Sequence, residues 1–208
     1  MDGPPRVSSV YETVAAIRAG ELVVIPTDTV YGLACAPDRE EPVRALSELK
    51  GRPTEQPIAL VASSVESLLE CMPELRGREE VLVRALLPGP YTLVVSNPAR
   101  RFPWLTGARP DTIGVRVPEV AGQVRDILDA VGVITATSAN RHGSADPRRI
   151  GDVPREILEA VVAVFDAGEL PGVPSTVLDL TRPDALVLRE GAVPGVEALA
   201  RVAAAVAQ

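Results

Sequence analysis

The sequence predicts an α/β fold, one sheet of mixed strand direction with helices packed on it. Three observations lead there. Short runs rich in Val, Ile, Leu and Thr recur along the 208 residues, each of strand length. Between them lie segments with apolar residues at helical spacing, bounded by cap residues. The two kinds do not alternate strictly as βαβ units. Several strands therefore follow one another through short turns.

The first element, "SSVYETVAAIRAGE", reads as a helix because Ser9 and Glu12 form a capping-box pattern and Gly20 supplies a left-handed stop. "ELVVI" is a buried strand that breaks at Pro26 into Thr27, Asp28 and Thr29, "PTDT". "REEPVRALSELKG" carries Pro42 near a helix start and Gly51 just past its end, placing Lys50 in the last turn. "IALVA" is a strand. "SSVESLLECM" and "REEVLVRALLPG" are helices, the second stopped by Pro88 and Gly89. "YTLVVS", "TIGVRVP", "GVITATS", "AVVAVFDAG", "STVLDLT" and "ALVLREG" are strand-like, and "AGQVRDILDAV", "VPREILEAV" and "GVEALARVAAAVA" are helical. Residues 140–154, "NRHGSADPRRIGDVP", hold few apolar anchors and read as a mobile loop.

Length favours a single domain over residues 1–208. Apolar residues make up 46% of the chain, yet no uninterrupted apolar run approaches the roughly 18 residues that span a bilayer. The N-terminus "MDGPPRVSSVYE" lacks the basic and apolar regions of a secretion signal. Cys35 and Cys71 form no CxxC and read as separate thiols, which fits a reducing cytoplasm. A net charge of −7 argues against a surface built mainly to grip nucleic acid, while leaving room for a small RNA contact. Of the 21 basic residues, Lys50 is the one lysine. Where arginine serves everywhere else, that position calls for a compact ammonium.

Negative findings narrow the chemistry. The single His142 excludes a histidine-rich metal cage, and its polar loop places it at the surface. There is no GK[ST] phosphate loop, no GxGxxG after a first strand and no GxSxG elbow. Asp111 and Glu119 flank "TIGVRVP", but exposed carboxylates describe them as well as an acid/base pair does. What remains is a set of segment ends carrying hydroxyls, amides and cations, where an α/β sheet receives ligands. Lys50 and Arg52 would put an ammonium and a guanidinium fork side by side for a polyphosphate, or serve as ordinary helix C-terminal cations. Arg116 points opposite Val115 and Val117 on the two-residue period, toward solvent or toward a carboxylate. Ser138 and Asn140 in "TATSAN" suit phosphate oxygens, a base edge or a turn. Arg189 ends a strand, as a ligand or in a rim salt bridge. "PTDT" itself is ordinary turn chemistry or one wall of a site.

The joint order of "IPTDTVYGLAC", "LKGRPTEQPIALV", "LLPGPYTLVV", "TIGVRVP", "ITATSANRHGSADP" and "PSTVLDL...LREGAV" resembles the YrdC/TsaC family of L-threonylcarbamoyladenylate synthases. The resemblance runs from about residue 10 to about residue 195, and the KxR and SxN pairs are its most specific marks. It implies a YrdC-like α/β fold, a twisted open sheet of parallel and antiparallel strands with a large concave pocket, in the short single-domain form. It implies nucleotidyltransfer: L-threonine, bicarbonate and ATP give threonylcarbamoyl-AMP and pyrophosphate, and a downstream complex passes the threonylcarbamoyl group to adenosine 37 of tRNA. Mg2+ is expected, held mainly by phosphate. By position, Lys50 and Arg52 become the catalytic pair. Thr27, Arg116 and Ser175 would hold threonine, and Lys50, Arg52, Gln56, Thr112, Ser138, Asn140, Asp146 and Arg189 the nucleotide. Gln56 stands where the family commonly has asparagine. Asp146 stands where it commonly has serine, and a carboxylate there repels phosphate unless a metal or an arginine such as Arg148 intervenes. Asp28 would orient the substrate ammonium or cap its turn. The rival readings are an RNA-binding or ribosome-maturation module, and the carbamoyl-adenylate chemistry of HypF, whose long chain and zinc-binding cysteines this sequence lacks.

Overall fold

The computed structural model describes residues 7–207; residues 1–6, part of the stretch read for a secretion signal, and Gln208 lie outside them. Helix α1, Val10–Ala19, starts on a complete Ser9–Glu12 capping box and ends at Gly20 with φ 84°. It is followed by β1, Val23–Pro26, and β2, Tyr31–Cys35. Their register closes with Pro26 opposite Tyr31, so Thr27 to Val30 form the turn of an antiparallel hairpin. The remaining helices are α2 (Glu40–Lys50), α3 (Val65–Cys71), α4 (Arg78–Leu86), α5 (Gly122–Val131), α6 (Arg155–Ala160) and α7 (Gly195–Val206). The remaining strands are β3 (Ala59–Ala62), β4 (Tyr91–Ser96), β5 (Thr112–Arg116), β6 (Val133–Ser138), β7 (Ala163–Val164), β8 (Thr176–Asp179) and β9 (Leu186–Arg189).

Among the described residues nine strands lie in the order β7-β1-β2-β6-β3-β5-β4-β8-β9. The β1/β7, β3/β5 and β4/β8 pairs are parallel and the others antiparallel. This is the mixed open sheet that the interleaved pattern predicts. "AVVAVFDAG" contributes only two strand residues. No helix among the described residues is long and apolar enough to cross a membrane.

The period-2 rule gives the sheet two faces. On one, Tyr91, Leu93 and Val95 of β4 and Ile113 and Val115 of β5 join the core beneath α2, α3, α4 and α7. On the other, α1 and α5 pack Val14, Ile17, Ile127 and Leu128 against Val23, Ile25, Ala34 and Ile134. That helix pair covers only the β7-to-β6 side. The same face of β3, β5, β4 and β8 carries Val61, Gly114, Thr92 and Val177 and opens as a cleft.

The 140–154 loop, read as poor in apolar anchors, has two. Ile150 and Val153 are buried, and a 3-10 turn spans Ile150–Asp152. Tyr31 N donates to Pro147 O at 3.0 Å and Leu170 N to Arg148 O at 2.9 Å, fixing the loop on both sides.

Candidate functional site

The cleft encloses about 400 Å³, within the size range of small-molecule sites. Its floor is low because Gly32, Ala59, Gly114 and Ala136 occupy neighbouring positions on four strands. Its walls are chain segments leaving strand or helix ends. Eight of the residues expected at a site line it: Thr27, Arg52, Thr112, Arg116, Ser138, Asp146, Ser175 and Arg189. They come from segments up to 162 positions apart, which only the strand order brings together.

At one end, the hairpin turn meets the end of β5. Arg116 Nη2 donates to Thr29 Oγ1 at 2.7 Å and Thr27 Oγ1 at 3.4 Å, and pairs with Asp28 Oδ1. Asp28 Oδ2 accepts Glu119 N at 3.1 Å. The two charged side chains are only 11% and 8% exposed, so this pair is internal to the wall. Asp28 is thus both a turn residue and the counter-ion of Arg116. Thr27 Oγ1 also donates to Val30 O at 2.8 Å, locking the turn. Arg116 Nε is buried without a partner.

At the other end, cations lack such partners. Arg52 Nη2 donates to Pro57 O at 2.7 Å, and its buried Nε has no acceptor. Arg189 donates through Nε and Nη2 to Ser175 O at 3.2 and 2.8 Å and through Nη2 to Ser175 Oγ at 3.1 Å. Among the described residues neither guanidinium has a carboxylate at ion-pair distance, although most other arginines do. Withdrawal from water, and next the charge of Arg189, holds Arg52 below the usual arginine range. Arg189 is lowered by desolvation, and Arg116 adds to this while Asp146 opposes it. A set of mutually repelling, partly desolvated cations is suited to an anionic ligand.

Three expected residues do not line the cleft. Lys50 is 2% exposed, and its Nζ points beneath the loop after β6, donating to Ser138 O, to Asn140 O at 2.6 Å and to Asn140 Oδ1 at 2.9 Å. Expected at the nucleotide, it organises the SxN segment here from behind the wall, just before the αL turn at Gly51. Burial, and secondarily Arg52, pulls its pKa down to about 8. Asn140 lies behind the wall as well. Its Oδ1 accepts Ser138 Oγ at 2.6 Å, and its Nδ2 donates to Ser144 O at 2.6 Å and Asp146 Oδ1 at 3.2 Å. Gln56 sits outside, with its amide 3.4 Å from the exposed His142 ring.

Other lining residues went unread in the sequence. Thr92 Oγ1 lies 2.8 Å from Ser175 Oγ; its alternation with Tyr91 and Leu93 was the available signal. Glu55, Thr106 and Arg109 extend the cleft outward, and Arg109 leans on the buried Asp179 at 3.4 Å. Gly107, at φ 57°, lets that segment approach, since a Cβ there would lie 2.2 Å from Glu55 O. Gly191 does the same for the Ser175 wall, where a Cβ would meet Pro174 O at 2.4 Å.

Among the described residues no three His, Cys, Asp or Glu side chains gather as a metal cage. Only Glu55 and Asp146 bring carboxylates to the lining. A divalent cation here fits only as a companion of a phosphate ligand that supplies most of its oxygens.

The family model for Sua5, YciO and YrdC proteins, described as "Telomere recombination", matches residues 15–191. A threonylcarbamoyl-AMP synthase of Pyrococcus abyssi is 35% identical over 86% of this chain, which spans only 52% of that relative. The threonylcarbamoyl-AMP synthase of Vibrio campbellii is 34% identical, with 86% of this chain and 97% of the relative covered. The crystal structure of Pyrococcus abyssi Sua5 complexed with L-threonine superposes with a TM-score of 0.79 at 31% identity, covering 92% of this chain and 56% of that one.

Proposed function

The chain belongs to the Sua5/YciO/YrdC family, and on that footing we propose that it is a threonylcarbamoyl-AMP synthase, a nucleotidyltransferase of the cytoplasm. It joins L-threonine, bicarbonate and ATP into threonylcarbamoyl-AMP and pyrophosphate, and a separate transfer complex carries the product to position 37 of tRNA. The single observation that supports this most is the pair Arg52 and Arg189, two guanidiniums without carboxylate partners facing one cleft. An incoming polyphosphate supplies the missing charge.

The chemistry needs no enzyme nucleophile. The threonine amine takes up the bicarbonate carbon with loss of water to give a carbamate. A carbamate oxygen then attacks the α-phosphorus, and pyrophosphate leaves. Two anions must be held in line, so positioning and charge neutralisation are the protein's contribution. In this reading Arg116 and Thr27 take threonine at the paired end, and Ser175, the hydrogen-bond partner of Arg189, reaches it from the other. Arg52, Arg189, Thr112 and Ser138 take the nucleotide, with Gln56 at its margin. Lys50 and Asn140 act through the segment they hold. Mg2+ accompanies the phosphates and neutralises part of their charge.

The test is pyrophosphate release by the purified chain, with the adenylate detected by mass. Release that requires ATP, L-threonine and bicarbonate together is the expected result. Release indifferent to threonine overturns the reading.

A further inference from the structure

The cation-rich end of the cleft contains one carboxylate whose placement the reaction does not call for. Asp146 lines the cleft with Arg52 and Arg189. It is held there from both sides: Asn140 Nδ2 donates to its Oδ1 at 3.2 Å, and the next residue is pinned by Tyr31 N on Pro147 O at 3.0 Å. Asn140 is itself fixed by Lys50 Nζ at 2.9 Å on its Oδ1. Yet among the described residues Asp146 makes no ion pair, so its charge acts across the cleft. Both Lys50 and Arg189 feel it, each being stabilised in its charged form. Arg148, the nearest arginine in sequence, turns away to Glu169 at 2.9 Å.

We infer that Asp146 is a specificity-determining residue for the charge state of the nucleotide. It is a resident counter-charge that disfavours a fully charged polyphosphate and leaves the cleft selective for the cation-neutralised one. The inference rests on the nucleotide reading above. With Arg52, Arg189 and Asp146 on its lining and Lys50 buried behind it, this end is less positive than its cations alone would make it. A free triphosphate meets attraction from the two guanidiniums and repulsion from the carboxylate, with Lys50 acting from behind the wall. A divalent cation on the phosphates reduces that repulsion and gives the carboxylate a favourable neighbour, without requiring it as a ligand.

The experiment is calorimetric titration of ATP into the whole chain, once with Mg2+ and once with a chelator, for the unsubstituted protein and for Asp146→Asn. The amide keeps an oxygen for Asn140 Nδ2 and loses the charge. Asp146→Ser serves as a second variant, and thermal unfolding checks that both are folded. The expected result is chelator-condition affinity raised by roughly tenfold in Asp146→Asn, the effect of about one pKa unit of charge interaction, so that the preference for Mg2+ shrinks by the same factor. An unchanged Mg2+ preference overturns the inference. So does loss of the Mg2+-dependent binding alone, which would make the carboxylate a direct metal ligand. Absence of ATP binding to the unsubstituted chain in both conditions overturns the nucleotide reading and this inference with it.

Discussion

At one end of the cleft Arg116 meets Asp28 and two threonine hydroxyls, whereas at the other Arg52 and Arg189 find only backbone carbonyls and one serine hydroxyl. Both ends use the same residue type. The difference lies in which charge is supplied by the chain. A wall cation with its own internal counter-ion adds little net field, which suits a small zwitterion recognised by shape and hydrogen bonds. Cations without carboxylate partners carry a desolvation cost that an anionic ligand offsets. Stability and binding are therefore coupled with opposite sign at the two ends.

The largest expected effect comes from removing an unpaired cation. Arg52→Met lowers kcat/KM for pyrophosphate release by two or more orders of magnitude, about 3 kcal/mol of transition-state stabilisation. Its melting temperature stays level or rises, since a poorly solvated charge is gone. A drop of several degrees would make Arg52 structural and erase the contrast. At the paired end, Asp28→Ala leaves Arg116 buried and uncompensated and costs about 3 kcal/mol in urea unfolding. Asp28→Ala combined with Arg116→Met should recover most of that loss; strict additivity would show that the two do not act as a pair.

A smaller effect is expected at the floor between the ends. A Cβ at Gly114 meets Thr92 Cγ2 at 3.6 Å and Ala59 Cα at 3.8 Å, ordinary contacts. Gly114→Ala should therefore fold and still weaken both ligands by roughly tenfold through lost volume. Unaltered affinities would place the ligands off this floor. The smallest effect is in pH. Lys50 titrates near 8 rather than 10.5, so ATP affinity should fall as pH rises from below 8 toward 9, and Lys50→Met should flatten that slope. The sign for folding is opposite. Between about 8 and 10.5 the unfolded chain holds the Lys50 proton and the folded chain does not, so this residue's contribution to stability rises with pH over that window. Parallel trends in binding and stability would contradict the assignment.

Local rules carried much of the fold. The Ser9–Glu12 box and the stops at Gly20 and Gly51 are where cap chemistry put them. Period-2 spacing placed Arg116 opposite Val115 and Val117, and both of these are core while Arg116 lines the cleft. "PTDT" was legible as a turn, and a turn it is. Its partner was not: Asp28 and Arg116 are 88 positions apart, and only the order β2-β6-β3-β5 joins them. "YGLAC", buried throughout, shows no alternation and follows the turn with a glycine at its second position, which weakens the strand signal. Lys50 was singled out by its rarity, but its direction depends on the turn at Gly51 and on where the β6 loop passes, which no local pattern encodes. Arg109 and Glu55 became lining residues through a backbone contact, Ala108 N to Glu55 O at 3.0 Å, equally invisible in composition.

The most direct test of the two-ended cleft is separate titration of L-threonine and ATP into Arg189→Met and into Arg116→Met. The first variant should lose ATP binding and keep threonine binding, and the second should lose threonine binding and keep most ATP affinity. Loss of both ligands from each folded variant would contradict a two-ended cleft.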